Sequence, residues 1–195
     1  MTDAIVVGPV EGLEDAVILG PCVLGHPSLT PTGRPLVLGH GVVVRAFAVL
    51  YEDVVVGEGT QIGHGTLVRE GNRIGARCSI GSEAQLEPRN TVGDGTRIHS
   101  GSFLASATLG NNVFCGPHVV FTDDRYPPSA GYPATAEGIT VDDGAVLGAG
   151  CVLLPGISIG ALAIVGAGSV VTRSVAAKQV VAGNPARVIR SREDC

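Results

Sequence analysis

His99 stands where a glycine is expected. In this chain an aliphatic residue recurs every sixth position, and the next residue is usually small, as in Ile62-Gly63 and Ile80-Gly81. At Ile98 that small residue is replaced by an imidazole. Histidine is the side chain whose ordinary proton affinity suits a general base at neutral pH, taking a proton from an attacking amine or hydroxyl. The competing reading is a turn histidine held by ordinary hydrogen bonds. His64 and His118 fall at comparable turns, where a substrate-facing role competes with plain solvent exposure. A second set is acidic and basic together: Arg69-Glu70 with Asn72, Glu87-Pro88-Arg89, Ala105-Ser106, and Thr122-Asp123-Asp124-Arg125-Tyr126. Carboxylates and guanidiniums gathered in one place suit a polar substrate, although a charged turn is more often merely solvated.

What gathers them is a repeat, and a repeat must be settled before any other feature. From Leu38 the six-residue rhythm runs through Val44, Leu50, Val56, Ile62, Val68, Ile74, Ile80, Leu86, Val92 and Ile98 to Leu104. Four positions after each aliphatic comes a second small or β-branched residue, such as Thr60, Thr66, Cys78, Ala84 or Thr96. Each hexad supplies a short strand and a turn, and three hexads close a triangular coil. Coils then stack with parallel strands at ~4.8 Å, burying the aliphatics that a lone coil would expose. An antiparallel sandwich would instead require period two and hairpin turns, and neither dominates. Positions one coil apart therefore share a corner. Val68, Leu86, Leu104 and, after one missing residue, Phe121 bring the charged set to one corner. Ile62, Ile80, Ile98 and Cys115 bring the histidines to another.

The rest of the chain fits one repeat domain over 1–195. Residues 1–16 read as a lead-in, and repeat coils occupy 17–176. His26 to Pro35, with three prolines, is an excursion. Residues 122–138 form the longest interruption, a protruding loop with two of the three tyrosines; loops of this length in a compact domain are often functional. Residues 177–195 form a C-terminal tail. The mild net charge of −5 argues against a nucleic-acid partner. The five cysteines show no CxxC spacing and read as structural thiols. No zinc-type spacing is present, so no metal site is assigned. The N-terminus carries no leader pattern and no apolar run approaches a membrane span, so a soluble cytoplasmic protein is expected.

The [Leu/Ile/Val]-Gly-x-x-small-x hexads resemble those of the hexapeptide-repeat acyltransferases. The resemblance implies an all-β fold, a left-handed parallel β-helix with an extended loop and a short C-terminal segment containing a helix. It also implies a homotrimer with active sites between subunits. Phe121-Thr122-Asp123-Asp124-Arg125-Tyr126-Pro127 is similar to a Phe-Thr-Asn-Asp-x-Tyr-Pro stretch in members that N-acetylate nucleotide-linked amino sugars. Acetyl-CoA is then the co-substrate and the amine of such a sugar the acceptor. His99 and Asp123 are the catalytic candidates, with Asp123 able to orient the ammonium if the amine attacks without a strong base. His64, Arg69, Glu70, Asn72, Glu87, His118, Asp124, Arg125 and Tyr126 are candidates for binding the acceptor. Gly183-Asn184-Pro185-Ala186-Arg187 is similar to the family's segment near coenzyme A. With the turns Ala149-Gly150 and Ala167-Gly168 and the basic residues Arg173 and Arg190, Pro185 and Arg187 mark a donor end. Coenzyme A carries phosphate charge that such an end would match. Three other readings stay open: an O-acetyltransferase on a hydroxyl, a metal enzyme of the γ-carbonic anhydrase type, and a non-catalytic β-helix module.

Overall fold

The computed structural model describes residues 4–131 and 136–194. Among the described residues the strands form three sheets of nine, eight and ten members, parallel but for the last pair of the third, and these are the three faces of a left-handed β-helix. The strand register is the sequence period made visible. Leu67–Val68 pairs with Val49–Leu50 below and Gln85–Leu86 above, each eighteen residues away. After Leu104 the spacing drops by one, and Thr91–Val92 pairs with Thr108–Leu109. We number each corner by the face that it follows. The first corner follows the Leu50–Val68–Leu86 face, the second the Val56–Ile74–Val92 face, and the third the Ile62–Ile80–Ile98 face.

The aliphatics form one buried column running from Leu24 to Val171. The turns between them are constrained in two ways. A Cβ on Gly63 would collide with the backbone nitrogen of Ser82, so at that height the residue after the aliphatic must be bare for the coils to close up. Two residues later the chain turns left-handed, with φ of 63° at Gly65, a conformation that glycine adopts without penalty. The small residue four after the aliphatic is a vertical hydrogen-bond rung. Thr60 donates to the Gly75 carbonyl at 2.8 Å and accepts from the Cys78 N–H at 2.8 Å. Thr66 and Thr96 donate to Gly81 and Gly110 in the same way. At the first corner asparagine does this job. Asn90 donates to Asn72 at 3.0 Å and accepts from the Ala107 N–H at 2.7 Å, while Asn72 donates to the Arg69 and Glu87 carbonyls.

Two expectations are corrected. The coils begin at Ala4 rather than near Val17: Ala4–Val6 pairs with Cys22–Leu24, and Val10–Glu11 with Leu36–Val37. This coil packs loosely: Ile5 and Val6 are exposed, and Ala4 and Val10 reach the core only partly buried, so its sequence shows no strict inward aliphatic. The C-terminal segment contains no α-helix among its described residues. Gln179–Gly183 and Ala186–Ser191 form an antiparallel hairpin, followed by a single 3-10 turn at Arg192–Asp194. The spacing drops to sixteen here, with Val175 bridging Ile159 and Val180–Val181 pairing Ile164–Val165, yet the tail still extends the third face. No described helix is long and apolar enough to cross a membrane.

Asn90 lies at the centre of a fully buried rung. Asn90→Ala leaves the Ala107 N–H and one side of Asn72 without partners. The expected loss is about 1–3 kcal/mol of unfolding free energy, read as a lowered denaturant midpoint. An unchanged midpoint would show that the rung contributes nothing.

Candidate functional site

The first corner holds a groove of about 290 Å³. Arg69, Glu70, Glu87 and Arg89 form one part of its lining, and Ser106 and Asp123 another. These are the residues that the coil length aligns. Arg69 is the centre of the floor: its guanidinium meets Glu87 at 2.9 Å and Glu70 at 3.1 Å, and lies 5.8 Å from the centroid of the Tyr51 ring. Burial pulls the Arg69 proton affinity down, but the charges and hydrogen bonds of Glu70 and Glu87 outweigh it and raise the net value. Two guanidiniums, Arg69 and Arg89, face three carboxylates, Glu70, Glu87 and Asp123, leaving one net negative charge. A cationic acceptor suits such a groove.

Both excursions leave from this corner and bracket the groove. The lower one, 27–35, is tied down by Glu52. This carboxylate is 5% exposed and accepts from the Ser28 hydroxyl at 2.8 Å and from the N–H groups of Ser28, Thr32 and Gly33 at 3.3, 3.0 and 3.3 Å. Burial pushes its proton affinity up, but the four donors together outweigh that and hold it below the usual carboxylate range. The upper excursion begins at Thr122. Asp124 caps it, accepting from the Ser129 hydroxyl at 2.5 Å and from the N–H groups of Ser129 and Tyr126 at 2.9 and 3.1 Å. The Ser129 contacts lower the Asp124 proton affinity most. Arg125 donates to the Pro155 carbonyl at 2.5 Å and meets Glu137 at 3.4 Å. Tyr126 is 79% exposed. Residues 132–135 of this loop lie outside the described residues. Five strand spacings, ~24 Å, separate the two excursions along the corner.

The third corner differs in character. The imidazole of His99 lies against Phe114, ring centroids 4.9 Å apart. His118 takes the left-handed turn position and covers Gly101, where a Cβ would run into its ring. His64 is exposed. The three histidines share the corner without converging, and no three potential metal-ligand side chains are gathered among the described residues. Above them sit Ala149-Gly150 and Ala167-Gly168, all exposed, and a Cβ on either glycine would meet nothing within 4 Å. The N–H groups of Gly150 and Gly168 are spent on the Pro117 and Ala149 carbonyls. Those of Ser100, Ala149 and Ala167 meet no acceptor among the described residues. At the second corner three such N–H groups are taken up by side chains: Ala76 donates to Asp94, Asp94 to Asn111 and Asn111 to Asp143. The hairpin tip closes the third corner, with the Gly183 N–H on the Ser169 hydroxyl at 3.1 Å. Arg173 and Arg187 share a small groove beside it, and Pro185 and Arg190 are exposed.

Several placements differ from expectation. Asn72 does not face a substrate: it is fully buried, with both amide hydrogens' partners inside the fold. Asp124 and Arg125 hold the loop together and to the coil. His99 and Asp123 occupy different corners, and one chain alone does not bring them together. Of the basic tail residues, Lys178 pairs with Glu193 and Arg192 donates to the Leu162 carbonyl, so both serve the fold. Tyr51 and Asn90 are not among the candidates read from the sequence, although Tyr51 precedes Arg69, and Asn90 follows Asn72, by eighteen residues. Four cysteines are free and buried; burial pushes the Cys151 thiol up to about 12 and the Cys115 thiol higher still.

A three-sided parallel β-helix with a charged corner groove is the class that fold and site define. Over its whole length the chain superposes on a UDP-N-acetylglucosamine acyltransferase from Bacteroides fragilis, with TM-score 0.77, 15% identity and 75% of that chain covered. No family model matches the chain. In sequence it is 31% identical over 131 residues to galactoside O-acetyltransferase of Escherichia coli, covering 60% of this chain and 64% of that one. It is 41% identical over 83 residues to a tetrahydropyridine-dicarboxylate N-acetyltransferase of Staphylococcus aureus, covering 43% and 32%. The chain thus spans less than two thirds of the length of these relatives. By fold, hexad and relatives it is similar to the hexapeptide-repeat acetyltransferases.

The Glu52 anchor carries a pH prediction. Its folded proton affinity is depressed, so its stabilisation is complete above the ordinary carboxylate value, ~4.3, and is lost as pH falls through the lower folded value. Amide resonances of Thr32 and Gly33 are expected to shift together in that acid window, and Glu52→Gln is expected to abolish the titration. Resonances that stay fixed through the window would contradict the anchor.

Proposed function

We propose that this chain is an acetyl-CoA-dependent acetyltransferase that acts in the cytoplasm on the amino group of a nucleotide-linked amino sugar. The observation that carries the reading is the contrast between corners. The first is an acidic groove suited to a cationic amine. The third is a ridge of unspent N–H groups leading from His99 to the Arg173–Arg187 groove. The ridge spans three strand spacings from His99 to Ala167, ~14 Å, and suits an extended pantetheine arm with its phosphates at the arginines.

In this reading the acceptor enters as an ammonium and is oriented by Asp123 with Glu87. It loses a proton to His99, and the free amine attacks the thioester carbonyl carbon. A carbon–nitrogen bond forms, a backbone N–H of the third corner stabilises the oxyanion, and the carbon–sulfur bond breaks. The thiolate leaves and becomes the free thiol by taking up the second proton, which the nitrogen sheds after the attack, while His99 releases the first to solvent. Because His99 and Asp123 lie at different corners, the site needs His99 from one copy beside the acidic groove of the next, and a homotrimer supplies that arrangement. Holding two substrates in one cleft accounts for much of the rate. A hydroxyl acceptor is the second reading, favoured by the match to galactoside O-acetyltransferase.

Thiol release from acetyl-CoA, followed with a panel of nucleotide amino sugars, free amino sugars and galactosides, tests both readings. Turnover on nucleotide amino sugars supports the first, turnover confined to galactosides the second, and none on any acceptor overturns both. His99→Ala is expected to lower kcat by ~10²–10⁴-fold, and Asp123→Asn to lower kcat/KM. Sedimentation of an active, stable monomer would sink the shared site.

A further inference from the structure

Beside His99, on the side away from the donor ridge, lies a second hollow of about 220 Å³. Arg45 and Arg97 stand at its edges and Ser79 between them. All project from the third face: Ser79 pairs directly with Arg97, and Gln61 pairs with Ser79 one strand further down. Arg45 donates to the Gln61 side chain at 3.2 Å, which holds its guanidinium over this strip. Among the described residues neither Arg45 nor Arg97 meets a carboxylate, whereas Arg34, Arg69, Arg73, Arg77 and Arg125 all do. No carboxylate lines the hollow. Its floor is flat because Gly63 and Gly81 permit no side chain, and the N–H group of Ser82 there meets no acceptor among the described residues. In a protein of net charge −5, this is a patch of hydrogen-bond donors with two uncompensated positive charges.

We infer that this hollow is a diphosphate-binding site, with Arg45 and Arg97 clamping the diphosphate of the acceptor beside His99. Guanidinium forks match phosphate oxygens with paired charge-assisted hydrogen bonds, and backbone N–H groups complete such a cradle. Within the reading given above, on which the inference rests, the hollow fixes the nucleotide half of the acceptor while the sugar amine extends past the imidazole. Coenzyme A also carries a diphosphate, but its expected basic groove, Arg173 and Arg187, lies beside the C-terminal hairpin at the far end of the coil stack. The assignment makes Arg45 and Arg97 specificity-determining: they select acceptors that carry a diphosphate from amines that do not.

The test uses the full chain and two single variants, Arg45→Gln and Arg97→Gln. Both side chains point outward from a face, and circular dichroism checks folding before binding is measured. Calorimetry is run with UDP, with GDP and separately with coenzyme A. Each variant is expected to weaken whichever nucleoside diphosphate binds by about tenfold or more while leaving coenzyme A binding unchanged. In steady state the KM for a nucleotide amino sugar is expected to rise at similar kcat, and the KM for a free amino sugar to stay put. Loss of coenzyme A binding alone, or of both ligands together, would assign the hollow to the donor and overturn the inference. Wild-type protein that binds neither UDP nor GDP would also overturn it. That failure is separate from failure of the acetyltransferase reading, which shows as absence of thiol release on every acceptor.

Discussion

Everything in this molecule depends on coils stacking at one strand spacing. At that distance backbone hydrogen bonds between parallel strands are made in every coil, and the aliphatic column is shielded from water above and below. The same distance leaves no room for a side chain after the aliphatic at Gly57, Gly63, Gly75 and Gly81, which is why glycine is the default at the second and third corners, with Arg45, His99 and Asp142 as departures from it. It also sets the height at which a threonine or asparagine side chain reaches the carbonyl of the next turn. Repeat, rung and bare corner are three consequences of one separation.

Against that background the three corners are specialised by what replaces the default. The second is closed on itself by its Asp94–Asn111–Asp143 ladder. The first dispenses with glycine after the aliphatic, uses the Asn72–Asn90 stack as its support, and so can carry Arg69, Glu87 and two excursions. The third keeps its bare backbone, leaves N–H groups unspent, and admits His99 where the imidazole can rest on Phe114. An acidic groove and a donor ridge on separate corners of one rigid prism suit the proposed two-substrate reaction, whose parts meet between copies.

Much of this was legible in the residues. The hexads from Leu38 to Leu104 give strand position, face and core, because a buried column tolerates only an aliphatic at every inward position. Counting eighteen places Arg69, Glu87, Ser106 and Asp123 together, and the structure finds them around one groove. The hidden parts follow from weaker rules. In the first coil Ile5, Val6 and Val7 are exposed and no strict inward aliphatic recurs, so the hexad is not recognisable there. Asn72 reads as a polar surface residue, because nothing local reveals that its amide is consumed by carbonyls fourteen to fifteen residues away. The hairpin hides for a similar reason: Val180 and Val181 join the third face two residues short of the coil period, and the return strand has no periodic partner to announce it.

The sequence by itself determined the architecture, since a six-residue period can bury its apolar residues in one way only, by closing coils and stacking them. It also determined which residues share a corner, since register is fixed once the coil length is known. Only the tertiary structure decided what those neighbours do. Whether an arginine is neutralised by a carboxylate, as Arg69 is, or left with its charge outward, as Arg97 is, depends on side-chain reach across coils. Whether an N–H is spent or offered depends on the coil above it. Those are distances between segments far apart in the chain, and no local pattern encodes them.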